Sequence, residues 1–194
     1  MQAKEALLSR RSCRKYQTKD VPKEIIEDII LAGKSAPTAM NCQEIKFYVI
    51  LNNIKKVKEL SDKVMENRAK AGKSAGWIEE YKQKYEIDDA IFYSAPCLIV
   101  LAAEKNENER REYWHRMDAG IVTGNILTMA TAYGLGTVPV GIANYLNQEA
   151  ILEGIGADKN KEELLLCIPL GYPVEGYKEK YVDEKPLTSF VKYA

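Results

Sequence analysis

Between Asp118 and Tyr133 the chain places Ile121, Val122, Ile126, Leu127, Met129, Ala130 and Tyr133 on more than one face of a helix. A helix that is apolar nearly all round cannot lie on a surface. It needs a central layer or another subunit to cover it, and Gly120 and Gly124, four residues apart, would let a second helix come close. The segment opens at Asp118 and closes in Gly134-Leu135-Gly136. The chain has 194 residues, enough to bury about 70% of its unfolded surface, so a single domain over 1–194 is the economical expectation.

Around this helix, short apolar runs alternate with amphipathic ones. Residues 45–51, 97–103, 137–141 and 164–170 have strand length and composition. A short helix precedes Arg10. Val21-Pro22 opens another, with Ile25, Ile26, Ile29 and Ile30 as its stripe. A third runs over 53–70, where Ile54, Val57, Leu60, Val64 and Met65 recur amid lysines. Residues 71–76 carry two glycines and read as a loop, while 77–85 and 147–154 read as further helices. Helices and strands in this order predict an α+β or α/β sandwich.

Twenty-eight cations balance 28 anions, so the bulk charge indicates neither a nucleic-acid nor an acidic-membrane partner. No apolar stretch approaches the roughly 20 residues that cross a bilayer. The four cysteines, Cys13, Cys42, Cys97 and Cys167, form no CxxC pair, and no signal-like segment opens the chain; a reducing cytoplasm is the expected location. His115 is the only histidine, which argues against a metal site or a hydrolase. No catalytic side chain and no metal ligand is assigned.

Two stretches carry chemistry. In Ser9-Arg10-Arg11-Ser12-Cys13-Arg14-Lys15-Tyr16, planar guanidinium donors and hydroxyls concentrate as a phosphate would require. The bland alternative is a solvated basic turn. The second stretch is Ser35-Ala36-Pro37-Thr38-Ala39-Met40-Asn41-Cys42-Gln43, a small, polar, Pro-bent loop in which Asn41 and Gln43 can donate to and accept from a flat heterocycle. An ordinary helix-to-strand connection would look similar.

Together these stretches resemble the nitroreductase family of FMN-dependent oxidoreductases. Arg10-Arg11-Ser12-Cys13-Arg14 is similar to the family's Arg-x-Ser-x-Arg/Lys stretch, and Pro37 to Gln43 to its Pro-Ser/Thr-x-x-Asn-x-Gln loop. The Asp118-Ala119-Gly120 helix, the following Thr137-Val138-Pro139-Val140-Gly141 strand and the late Ile168-Pro169-Leu170-Gly171-Tyr172-Pro173 follow in family order. The resemblance implies a three-layer α+β sandwich: a central mixed or antiparallel sheet flanked by helices, with a C-terminal extension exchanged with a partner subunit.

It also implies FMN held by Arg10, Arg11, Ser12, Arg14, Pro37, Thr38, Ala39, Asn41, Gln43, Pro139, Val140, Gly141 and Lys185, at the interface of a homodimer. In Lys185-Pro186-Leu187 the usual additional cation two residues earlier is replaced by Asp183. NADH or NADPH would be the transient reductant and a nitroaromatic, quinone or related compound the acceptor. Gly134-Leu135-Gly136 follows a helix and lacks a third glycine, so it is no dinucleotide fingerprint; both substrates would use one pocket in a ping-pong scheme. The alternatives are a non-catalytic flavin-binding protein for storage or regulation, or a specialised dehalogenating, enoate-reducing or flavin-degrading member. Residues 71–91 and Trp114 are the expected substrate cover.

Overall fold

The computed structural model describes residues 2–70, 76–177, 186 and 189–191. Four strands form one sheet in the order β1-β2-β4-β3: β1 (Lys46–Ile50), β2 (Cys97–Glu104), β3 (Gly136–Thr137) and β4 (Glu162–Gly171), with every pairing antiparallel. Ser12 adds one parallel bridge outside β3 at Thr137, which makes the sheet mixed.

β2 is an inner strand buried on both faces, so its sequence is continuously apolar from Cys97 to Ala103. Alternation then sorts its side chains. Leu98, Val100 and Ala102 join one core with helix α3 (Ile54–Lys70) and helix α6 (Ile142–Ile155). Cys97, Ile99 and Leu101 join the other, under helix α2 (Lys23–Lys34) and helix α5 (Glu109–Ala132). The result is three layers. Between Leu101 and Ala102 the β4 register slips by a residue, and this bulge turns both Leu165 and Leu166 to the α5 side. The remaining helices, α1 (Ala3–Ser9) and α4 (Gly76–Tyr85), lie at the periphery, with α1 packed on α5.

The amphipathic stripes lie where the sequence places them: Ile26 and Ile29 are buried on α2, and Val57, Leu60 and Val64 on α3. Three expected boundaries differ. Asp118 does not open α5. The helix begins nine residues earlier, where the Asn108 side chain accepts from the Arg110 N–H at 3.0 Å as a true cap. The expected strand over 137–141 shrinks to two residues because Pro139 has no N–H to give; Val140 then makes a single bridge to Cys167. α6 starts at Ile142 rather than at 147, and it breaks at Asn147 (φ −168°), whose side-chain Oδ1 accepts from Ala150 N and caps the second half. Among the described residues, no helix is long and apolar enough to cross a membrane.

Candidate functional site

The 10–16 segment is laid against the β3 edge. Cys13 N donates to Thr137 O at 3.0 Å. Gly136 makes this possible, since a Cβ there would sit 2.5 Å from the Cys13 Cβ. Tyr16 closes the segment by donating its phenol to Cys13 O at 2.6 Å; burial pushes that phenol well above its ordinary pKa, so it stays a donor.

The cations of this segment have different surroundings. Arg11 is exposed and donates Nη1 to Leu8 O (2.9 Å) and Arg10 O (2.8 Å), which closes the C-terminus of α1. Arg14 is half-buried, with its guanidinium carbon 5.9 Å from the ring centroids of both Tyr85 and Tyr93, and its backbone N–H donates to the Tyr177 hydroxyl. Arg10 and Ser12 are half-buried. Beside them the Thr137 Oγ1 is buried without a hydrogen-bond partner among the described residues.

Further along the same edge, Pro139, Val140 and Gly141 lead to a cleft of about 660 Å³, lined in part by Gly120, Gly141, Asn144, Glu163 and Leu165. Asn144 spends its amide nitrogen on the bulge carbonyls of Leu164 (2.8 Å) and Leu165 (3.0 Å). Its Oδ1 is buried and has no partner among the described residues. Nothing in the spacing of the sequence marked Asn144, although an amide amid Ile142, Ala143 and Leu146 was the available signal.

The Pro37 to Gln43 loop is strained and stapled. Met40, Asn41 and Gln43 take φ of 51°, 56° and 53°, each a left-handed conformation costing on the order of 1–3 kcal/mol for a non-glycine residue. Four contacts hold it: Ala39 N donates to the Asp118 carboxylate at 3.0 Å, Gln43 N to Thr38 Oγ1 at 3.1 Å, Asn41 N to Thr38 O at 2.9 Å, and Gln43 Nε2 to Asn41 Oδ1 at 3.0 Å. The last bond leaves Asn41 with an amide donor and Gln43 with a carbonyl acceptor for a ligand. Pro37, Met40, Asn41 and Gln43 are exposed, and Cys42 is half-buried.

Behind the loop, His115 is buried between two carboxylates, with Nε2 2.9 Å from Glu44 and Nδ1 3.3 Å from Glu163. Bridging the two carboxylates, it works as a brace. Arg111 pairs with Glu44 as well, and these two partners hold the Glu44 carboxyl below its usual range. Among the described residues no cluster of His, Cys, Asp and Glu could hold a metal ion.

Within one protomer the structure does not bring the two stretches together. The loop is braced at the Glu163 end of β4, whereas Cys13 bonds at Thr137, level with Leu170. Seven residues of strand separate those levels, about 23 Å. Lys185 lies outside the described residues.

A sequence profile described as the nitroreductase family matches residues 7–172. Among curated proteins, an iodotyrosine dehalogenase 1 homolog of Caenorhabditis elegans is 25% identical over 97% of this chain, which spans only 60% of that relative's length. A protein of Methanothermobacter thermautotrophicus, named as an NADH dehydrogenase/NAD(P)H nitroreductase, is 30% identical over 90% of this chain and 79% of its own. Among solved structures, a nitroreductase with bound FMN from Bacteroides fragilis superposes with a TM-score of 0.80 at 23% identity, covering 100% of this chain and 99% of that one.

Proposed function

The chain belongs to the nitroreductase family, and from that premise we propose that it is an FMN-dependent oxidoreductase. In this reading it is one domain over 1–194, acting as a cytoplasmic homodimer that carries reducing equivalents from NADH or NADPH to a nitroaromatic, quinone or related acceptor. The observation that carries the reading is the order of features along the β3 edge. Half-buried Arg10, Ser12 and Arg14 come first, then the 137–141 backbone, then the cleft at Gly141 and Asn144. A phosphate, a polar linker and a flat ring need that order.

The residues present fit the group. Two buried oxygens without a hydrogen-bond partner among the described residues, Thr137 Oγ1 and Asn144 Oδ1, stand at the two ends of that path, and Gly136 holds the cationic segment in place. Arg10, Arg14 and Ser12, with Lys185, would take the phosphate, and Arg11 would add charge from the surface. Pro139, Val140 and Gly141 would line the ring. When bound, FMN supplies the hydride and single-electron chemistry. The chain contributes binding, orientation and a fixed cation: Tyr85 and Tyr93 hold Arg14 beside the site before any ligand arrives.

The distance between the two stretches favours a site shared by two copies, in which Pro37, Thr38, Ala39, Asn41 and Gln43 of one protomer complete the flavin site of the other. α5 presents Tyr113, Met117 and Ile121 outward at 58%, 44% and 42% exposure, and a Cβ at Gly120 or Gly124 would meet nothing within 4 Å. A second copy of the helix fits that face. β1, an edge strand among the described residues, and α2 bound a groove of about 490 Å³ lined by Ile30, Leu31, Val49 and Leu51, which suits the exchanged C-terminal extension.

Purified protein should be yellow, with about one FMN per chain. Anaerobic NADH or NADPH alone should bleach it, and steady-state lines at varied acceptor should run parallel. Colourless protein that refuses added FMN would overturn the reading. Bleaching by neither nicotinamide would leave a flavin-binding protein without turnover. The similarity to an iodotyrosine dehalogenase homolog favours one second reading, reductive dehalogenation, so the acceptor panel should include a halophenol.

A further inference from the structure

We propose that the pocket between the 39–40 turn and the first turns of α5 binds a planar aromatic group that carries an anion, and so sets which substrates reach the site. The inference rests on the flavin reading above, because this pocket adjoins the loop assigned to the neighbouring flavin.

The pocket has a volume of about 480 Å³ and is lined by Ala39, Met40, Asn108, Arg110, Arg111 and Trp114. Its walls suit a flat ring. Trp114 is half-buried and is held from behind by Tyr113, whose ring meets it edge-on at 5.3 Å and 69°. Met40 also lines it and brings a thioether, 85% exposed, on a left-handed backbone that the Asp118 and Thr38 contacts of the same turn secure. A polarisable sulfur and an indole are good partners for an aromatic ligand.

The two arginines differ in what they have left to give. Arg111 is committed to Glu44, and that carboxylate is further held by His115, so its charge is already matched. Arg110 is exposed and makes no ion pair among the described residues; its neighbours Glu107 and Glu109 do not line the pocket. It also sits in the first turn of α5, at the positive end of the dipole of a 24-residue helix. A neutral ring would leave that charge unused, whereas a carboxylate or phosphate on the ring would meet it with charge-assisted hydrogen bonds.

Two sources offer this chemistry: an acceptor bearing a carboxylate, and the adenosine 2′-phosphate of NADPH. The test uses the protein as purified, oxidised and without reductant, and titrates it calorimetrically with 4-nitrobenzoate, with its methyl ester, and with NADPH and NADH analogues that cannot transfer hydride. We expect one anionic member to bind about tenfold more tightly than its uncharged or less charged counterpart, and Arg110→Gln to abolish that preference while Arg110→Lys keeps most of it. A preference for the nitrobenzoate assigns the pocket to the acceptor, and one for the NADPH analogue assigns it to the reductant; either supports the proposal. Equal binding within both pairs, or a preference that survives Arg110→Gln, would overturn it. Because the titration needs no turnover, failure to take up FMN would count against the flavin reading alone.

Discussion

Arg14 has two kinds of neighbour, and its substitution should be read in two assays. Losing a charge-assisted contact to phosphate costs about 1.5–3 kcal/mol, so Arg14→Ala should weaken FMN binding roughly ten- to a hundredfold in a fluorescence titration. Its guanidinium also lies 5.9 Å from the Tyr85 and Tyr93 rings, so the same variant should lose about 0.5–2 kcal/mol of stability in urea. Arg11→Ala should behave differently. That guanidinium closes α1 through Leu8 O and Arg10 O, so FMN affinity should change by less than about threefold while the α1 amides lose exchange protection. Equal losses of FMN affinity in both variants would contradict this division. Glu44 gives a pH dependence of definite sign. Arg111 and His115 lower its folded pKa below the unfolded value near 4.3, so its stabilisation is present above that value and is lost as the pH falls through the folded one. The urea midpoint of Glu44→Gln should therefore lie below that of the parent at pH 7 and converge with it on acidification; a constant gap would refute the assignment.

Elements whose identity is set by local pattern were legible in the sequence. The α2 and α3 stripes and the runs that became β1, β2 and β4 needed only periodicity and turn residues. What could not be read was set by tertiary contacts. Asp118 has the chemistry of a helix cap, yet it sits inside α5 because its carboxylate is taken by Ala39 N from a loop 79 residues away in sequence. The first turns of α5 are charged because they form an outer surface, so no apolar stripe announced them. For the site, the cations and the loop were visible as motifs, but Asn144, the Glu44–His115–Glu163 brace and the tyrosines on Arg14 appear only when distant segments meet. Gly136 links element and site. Gly136→Ala would drive a Cβ into Cys13 at 2.5 Å, and the backbone rather than a flexible side-chain tip must yield. It should cost about 1–3 kcal/mol in urea and weaken FMN binding in parallel, because the 12–14 segment would leave the β3 edge. Loss of stability with FMN affinity intact would show that the cationic segment is not the cradle.

For the molecule as a whole, the decisive observation is that the brace behind the 37–43 loop meets β4 at Glu163 whereas the 10–16 segment bonds level with Leu170, seven strand residues or about 23 Å further along. In the proposed homodimer, two-fold pairing through the outward face of α5 would resolve this: it would let the exposed loop of one copy reach the β3 edge of the other and would cover the apolar residues that α5 leaves in solvent. Folding, dimerisation and cofactor binding should then be linked, with FMN raising the stability of the dimer by mass action. Sedimentation velocity of the FMN-loaded protein, recorded at the flavin's visible absorbance across a dilution series, tests this most directly. Flavin travelling at the mass of two chains, with one FMN per chain and release of flavin as the dimer dissociates, is the predicted result. Flavin that stays with a stable single chain on dilution would contradict it.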